Sequence, residues 1–361
     1  MPTVVLVAPT AFKGSFGPRQ VAEAIAAGVR RALPGAAVLS CPVADGGDGL
    51  LDAVLPPGSL RERVQVTGPL GTPVHAELGW IDGETAIFES SSACGLALVP
   101  PEQRAPLTAT TRGVGELVWE AADRGAATIV VGLGGSATTD GGTGAARGLG
   151  WTFQDVGGAA LPEGGGALAD LAEIGGGWGL TATVVALTDV TTPLVGPTGS
   201  AHVFGPQKGA TPADVERLSA GLDRLATLLA RQGRPELAAL PGGGAAGGLG
   251  AGLAAFARAT ITPGASWVLD RVGFDAALAK VDLVITGEGA FDRTSLVGKA
   301  TGEVLRRAQA ARRKVAVVSA RAGDEMAGVH VVRGGGATLS LDDVAALGER
   351  AAREAFGLPA A

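Results

Sequence analysis

The chain has no tyrosine, two cysteines, two methionines and three histidines. Its aromatic side chains are nine phenylalanines and five tryptophans. These shortages exclude several kinds of chemistry. Cys41 and Cys94 lie far apart and fit no metal-binding spacing, so they read as two reduced thiols. His75, His202 and His330 are isolated, which leaves little material for a histidine-rich metal site or a Ser–His–Asp triad. No apolar stretch approaches the roughly 20 residues that a membrane span needs. No basic segment leads into an apolar core at the start, as it would in a secretory signal. The expectation is a cytoplasmic protein that does not engage a membrane. The net charge of −6 comes without a basic patch, so nucleic acid is not an expected partner. With 46% hydrophobic residues the chain is not a disordered one.

Lysine is scarce as well. Lys13, Lys208, Lys280, Lys299 and Lys314 stand against 24 arginines. A GC-rich genome drifts toward Ala, Gly and Arg, so a lysine that persists is one needed as lysine. Three of the five lie in glycine-bearing segments: Phe12-Lys13-Gly14-Ser15, Pro206-Gln207-Lys208-Gly209 and Val297-Gly298-Lys299-Ala300. Glycine is what the chain has in excess. It contributes 59 of 361 residues, more than twice its usual share of roughly 7%. The glycines come in clumps, not at every third position, which excludes a collagen-like chain.

The ends of the chain read as βαβ units. Residues 3–8 form a short apolar run, and a helix from about Pro18 to Ala32 places Val21, Ile25 and Val29 on one face. Residues 36–43 read as a second strand. Toward the C-terminus, 281–286, 315–319 and 329–332 read as strands, and 303–312 and 341–356 as helices. In the middle, 64–66, 74–81 and 85–89 alternate as strands do. Residues 128–131 and 184–187 read as buried strands, 116–122 and 214–232 as helices, and Gly164–Gly166 and Gly175–Gly177 as loops. A glycine run over 242–252 precedes an apolar helix at 253–257. The fold class expected is α/β with two α/β domains. One, doubly wound, is discontinuous and spans 1–65 plus 266–361; a glycine-rich second one is inserted at 66–265.

Two generic phosphate motifs serve as tests. Gly298-Lys299 is followed by Ala300, and Arg293 stands where a Walker loop needs its first glycine, so there is no P-loop. Gly132-Leu-Gly134-Gly-Ser-Ala137 follows a strand, with Asp155 about 20 residues on, as in a dinucleotide fingerprint. That leaves an NAD(P)-binding oxidoreductase as an alternative. The same segment also reads as an anion-binding loop. Gly134 and Gly135 let the backbone approach a ligand, Ser136 and Thr138 add donors, and Asp140 suits a metal or a ligand hydroxyl. Glu288, Asp292 and Lys299 follow the strand 281–286, in a segment with Gly287 and Gly289. Two carboxylates and a lysine there suit Mg²⁺ and phosphate. Lys13 and Ser15 lie between a strand and a helix start, where anions are attracted. Asp45, Gly46 and Gly47 follow the second strand, Asp189 follows strand 184–187, and Lys208 lies near one more turn. Glycine and lysine for anions, with carboxylates and no His or Cys nucleophile, are the equipment of phosphoryl transfer. An aspartate serves there as base for an attacking hydroxyl.

These segments resemble, in order and over nearly the whole chain, bacterial glycerate kinases of the type I family. The matching runs include Ala8-Pro9…Phe12-Lys13-Gly14-Ser15, Pro42-Val43-Ala44-Asp45-Gly46-Gly47 and Thr110-Thr111…Gly113…Gly115-Glu116-Leu117. They continue with Gly132…Gly134-Gly-Ser-Ala-Thr138…Asp140-Gly141-Gly142, Asp189-Val190…Pro193-Leu194 and Val203-Phe-Gly-Pro-Gln-Lys208-Gly209-Ala210. The last are Gly244-Ala-Ala-Gly-Gly-Leu-Gly250 and Thr286-Gly-Glu-Gly289…Asp292…Gly298-Lys299. The resemblance implies phosphorylation of D-glycerate by ATP with Mg²⁺, usually at the 2-hydroxyl. It also implies that the discontinuous domain is flavodoxin-like and that the site lies in a cleft between the domains. On this reading Asp189, Lys13, Asp45 and Asp292 are catalytic candidates, with Asp189 the favoured base. Ser15, Gly46, Gly47, Gly134, Gly135, Ser136, Thr138, Asp140, Lys208, Gly287, Gly289 and Lys299 are binding candidates, and Asp292 and Glu288 candidate Mg²⁺ ligands. The partners expected are glycerate and ATP; the motifs do not speak to oligomeric state. The chain departs from the family pattern at Thr10, Thr139 and Thr192, in presumed site loops, where the family carries a carboxylate or an asparagine. A divergent paralogue acting on another hydroxy acid, or a weak nucleotide- or acid-binding sensor, is the alternative those losses suggest.

Overall fold

A computed structural model describes residues 2–12, 14–296, 298–323, 329–336 and 339–359. The strands are β1 Val4–Val7, β2 Ala37–Ser40, β3 Arg61–Thr67, β4 Pro73–Trp80, β5 Thr85–Glu89, β6 Thr128–Gly132, β7 Trp151–Gln154, β8 Glu173–Gly176, β9 Thr183–Leu187, β10 Thr260–Thr262, β11 Leu283–Phe291, β12 Lys314–Ala322 and β13 His330–Arg333. The helices are α1 Pro18–Ala32, α2 Leu50–Val54, α3 Ser91–Cys94, α4 Arg112–Asp123, α5 Thr143–Gly148, α6 Ser200–Phe204, α7 Pro212–Arg231, α8 Ala245–Phe256, α9 Gly264–Arg271, α10 Phe274–Leu278, α11 Ala300–Ala310 and α12 Leu341–Ala355. None of them is long and apolar enough to cross a membrane.

The chain divides into two compact units, one of Met1–Asp45, Gly49–Pro56 and Pro263–Ala361, the other of Gly46–Asp48 and Pro57–Thr262. The sequence reading put the joins at 65/66 and 265/266. The first of those would cut β3, which pairs with β4 from Arg61 to Thr67 and stays with its partner.

The first unit holds a five-stranded sheet in the order β13-β12-β11-β1-β2, every pair parallel. Counted along this unit alone, the order is that of a flavodoxin-like doubly wound sheet. Side chains alternate across it. Val5, Val7, Leu283 and Ile285 enter one core with α1 and α12. Leu6 and Val284 enter the other, with α9, α10 and α11. Pro18 opens α1, and Val21, Ile25 and Val29 are buried at the predicted spacing. The crossing of α1 with α12 requires glycine, because a Cβ on Gly28 would lie 1.9 Å from the Ala345 carbonyl oxygen.

The second unit holds a six-stranded sheet, β10-β9-β6-β5-β4-β3. From β10 to β5 the strands are parallel, and β4 and β3 add an antiparallel edge. A separate hairpin joins β7 to β8. Three expectations change here and in the first unit. The strand read over 281–286 is longer, because β11 runs on to Phe291 and stays paired with β12 as far as Ala322. The glycines at 164–166 enter a 3-10 turn over Gly165–Asp170, and those at 175–177 finish β8. The run at 242–252 enters α8 at Ala245, and α8 carries a left-handed kink at Ala246, Gly247 and Gly248.

Candidate active site

In the second unit, chemistry gathers at the carboxyl ends of β6 and β9. The two strands are paired in register with Gly132 opposite Leu187, and the Leu133 N–H donates to the Leu187 carbonyl. Gly134 therefore leaves one strand as Asp189 leaves its neighbour, the position where open α/β sheets receive ligands. The loop from Gly134 is fixed from below. Gly135 O accepts from Leu96 N, the Ala137 N–H donates to Cys94 O, and Gly95 bridges Ser136. Gly135 needs its φ of +57°. Gly46 and Gly47 join this loop, since a Cβ on Gly134 would meet Gly47 Cα at 3.1 Å. Asp189 is half-buried and has a bonding partner, as does the half-buried Asp45.

Asp140 is fully buried, and its oxygens are taken up by the protein itself. Oδ2 accepts from Thr111 N at 2.9 Å, Thr111 Oγ1 at 2.8 Å and Gly144 N at 3.1 Å, and Oδ1 accepts from Gly142 N at 3.0 Å. Burial raises its carboxyl above the usual range against the pull of those donors. The carboxylate ties the start of α5 to the start of α4, in place of the metal or ligand hydroxyl expected of it. Thr111 completes the knot, since its Oγ1 also accepts from Ala145 N at 2.9 Å. Thr111 stood in the matching runs without a role; its placement next to Asp140 is a tertiary fact that no spacing carries.

Lys208 is also buried, only 3% exposed. Its Nζ donates to Ser136 Oγ at 2.9 Å and to Thr138 O at 2.5 Å. Burial pulls the amine down to about 8, and the nearby Cys94 and Asp140 act against that fall. Cys94, fully buried beside this group, is pushed up to about 12 by burial. Expected at a phosphate, Lys208 instead clamps the two residues expected to bind one. Behind this loop, Gly247 has a φ of +76°, and a Cβ there would lie 1.8 Å from Thr138 O. Much of the glycine excess in this unit serves such backbone-to-backbone packing.

The dinucleotide reading fails at its acid. Asp155 sits in the β7–β8 turn, where Oδ1 accepts from Gly157 N and Ala159 N. No helix follows the glycines until Thr143.

In the first unit the candidates gather at the far end of β11. Gly287 and Glu288 are buried strand residues and Gly289 is half-buried. A Cβ on Gly287 would meet Val318 O at 2.5 Å. Thr10 holds the adjacent end of β1, donating to Gly287 O from N at 2.8 Å and from Oγ1 at 3.1 Å. Asp292 Oδ1 accepts from Thr294 N at 2.7 Å and Thr294 Oγ1 at 2.5 Å, and these bonds hold its carboxyl below the usual range. Lys299 caps α11 and donates from Nζ to Thr294 Oγ1 at 3.1 Å; the same Nζ lies 3.9 Å from Glu288 Oε2. Glu288 Oε1 is buried without a hydrogen-bond partner among the described residues. Burial raises that carboxyl, with Ser295 and Lys299 opposing the rise. Ser15 is exposed in the turn before α1, and Lys13 lies outside the described residues. Among the described residues no group of three or more His, Cys, Asp or Glu side chains is placed to hold a metal.

A family model described as "Glycerate kinase family" matches residues 5–355. The Escherichia coli glycerate 2-kinase is 40% identical over 90% of this chain and 87% of its own length. The Bacillus subtilis glycerate kinase is 42% identical over 82% of this chain and 79% of its own. A crystal structure presented as that of a glycerate kinase 2 from Salmonella typhimurium LT2 aligns with a TM-score of 0.85 at 38% identity, over 99% of this chain and 98% of that one.

Proposed function

The chain belongs to the glycerate kinase family, and from that premise we propose that it transfers the γ-phosphoryl group of ATP to the 2-hydroxyl of D-glycerate, giving 2-phosphoglycerate and ADP. The observation that carries the site assignment is the pairing of β6 with β9. It sets a glycine loop and an aspartate side by side at one strand edge. Asp189 accepts the proton of the substrate hydroxyl as its oxygen attacks the phosphorus and ADP leaves. The Gly134–Ser136 backbone faces the anionic part of the substrate. Lys208 is a positioning residue, holding Ser136 and Thr138 from behind. Lys299, at the start of α11, receives nucleotide phosphate, with Ser15 before α1 as a second anion contact.

Magnesium fits Glu288, whose buried Oε1 lacks a partner among the described residues, with Asp292 close by in the chain as the second carboxylate. When bound, the ion neutralises charge on the transferring phosphoryl group. A coupled assay of ADP release tests the proposal. With Mg²⁺ and ATP present, release should depend on D-glycerate and saturate with it. Folded protein that gives no release above the glycerate-free background would reject the assignment.

A further inference from the structure

Aromatic residues are scarce in this chain, yet three of its five tryptophans line one cavity. The cavity holds about 340 Å³ and lies wholly in the second unit. Trp119 of α4, Trp151 at the start of β7 and Trp178 after β8 form its walls with Phe256 and Leu180, and Arg258 is part of the lining. Trp119 and Trp178 stack edge to face, 4.7 Å between centroids at 66°. Trp151 tilts against Phe256 at 5.1 Å. Two glycines make room for these rings. A Cβ on Gly150 would lie 2.3 Å from Trp178 Nε1, and one on Gly177 would lie 2.8 Å from the Trp151 ring.

Polar groups set the sign of a ligand. Trp151 Nε1 already donates to Phe256 O at 3.3 Å. The indole N–H groups of Trp119 and Trp178 have no acceptor among the described residues, and both side chains reach solvent, with Trp178 58% exposed. Among the described residues, Arg258 is the one charged member of the lining and has no ion pair, and no carboxylate lines the cavity. Aromatic faces with a few convergent donors make a small-molecule site, and this volume falls at the lower end for one. It is not the site proposed above. None of Gly134, Gly135, Ser136, Asp189 or Lys208 is part of its lining.

We propose that this cavity binds a planar aromatic anion of one or two rings, such as an aryl carboxylate. The rings stack on the tryptophans, and the anionic group is met by the Arg258 guanidinium and the indole N–H groups. Calorimetric titration with 2-naphthoate tests this, in the presence of saturating D-glycerate so that other carboxylate sites are filled. Saturable one-to-one binding is expected. Arg258→Gln should weaken it by about tenfold or more, the loss of a hydrogen-bonded charge. Trp178→Leu should weaken it as well, and the cation 2-naphthylmethylammonium should not bind. Both substitutions are at solvent-exposed positions, and an unchanged far-UV melting curve verifies the fold of each variant. Absence of saturable binding, equal affinity in Arg258→Gln, or equal binding of the cation would overturn the proposal.

Discussion

At the scale of single residues, the second unit consumes some of the groups a ligand would have used. The Lys208 amine, brought down to about 8 by burial, titrates in the native state below its ordinary 10.5. The native protein then sheds this proton before the unfolded chain does. The lysine's share of stability is least below pH 8 and grows as pH rises from about 8 to 10.5. Urea midpoints between pH 7 and 10 should show this rise in the wild type relative to Lys208→Met, and parallel curves would contradict it. Asp189 lies at a strand end beside the glycine loop. Asp189→Asn should lower kcat by about 10²- to 10⁴-fold with little change in the KM for ATP, as measured by ADP release. The sequence marked both residues as special through lysine scarcity and position after a strand. It read Asp189 as the base and Lys208 as a binding residue, and could not show that the chain itself takes up the Lys208 amine, because that depends on tertiary partners. Ser136 Oγ and Thr138 O are those partners for Lys208.

At the scale of elements, periodicity was a good guide where one face is buried. The α1 stripe of Val21, Ile25 and Val29 and the long amphipathic α7 lie close to where their spacing puts them. Glycine-rich segments proved more regular than their composition suggests. Gly287-Glu-Gly289 lies beyond the strand read over 281–286, yet it is strand, because parallel pairing with β12 supplies the order that local propensity lacks. The run at 242–252 reads as loop before a helix, yet it enters α8 at Ala245, since small residues let α8 rest on the Thr138 backbone. Close approach also fixes the α1–α12 crossing. In Gly28→Ala the new methyl would fall 1.9 Å from Ala345 O and 2.7 Å from Glu349 N, both backbone atoms that cannot swing aside. The two helices must part, at a cost of about 1–3 kcal/mol. The urea midpoint should fall accordingly, and an unchanged midpoint would show that the crossing has slack.

At the scale of the whole molecule, two α/β units each present functional candidates at the carboxyl end of a parallel strand set. The first brings the carboxylates and lysine of β11 and α11; the second brings the glycine loop and Asp189. The order of motifs along the chain was enough to expect a kinase of this family, and the family model covers residues 5–355. At Thr10 the side-chain hydroxyl adds a donor to Gly287 O beside the backbone N–H, which any residue there would supply. The Thr139 hydroxyl is buried and has no hydrogen-bond partner among the described residues, and nothing in the structure explains that choice. NMR of the reaction product tests the central claim most directly, because it identifies acceptor and position together. After incubation with D-glycerate, ATP and Mg²⁺, the ³¹P signal of the product should couple to the single proton on C2 of glycerate, in amounts equal to the ADP formed. A spectrum with no phosphorylated glycerate, or with the phosphorus coupled to the C3 methylene protons, would contradict the account.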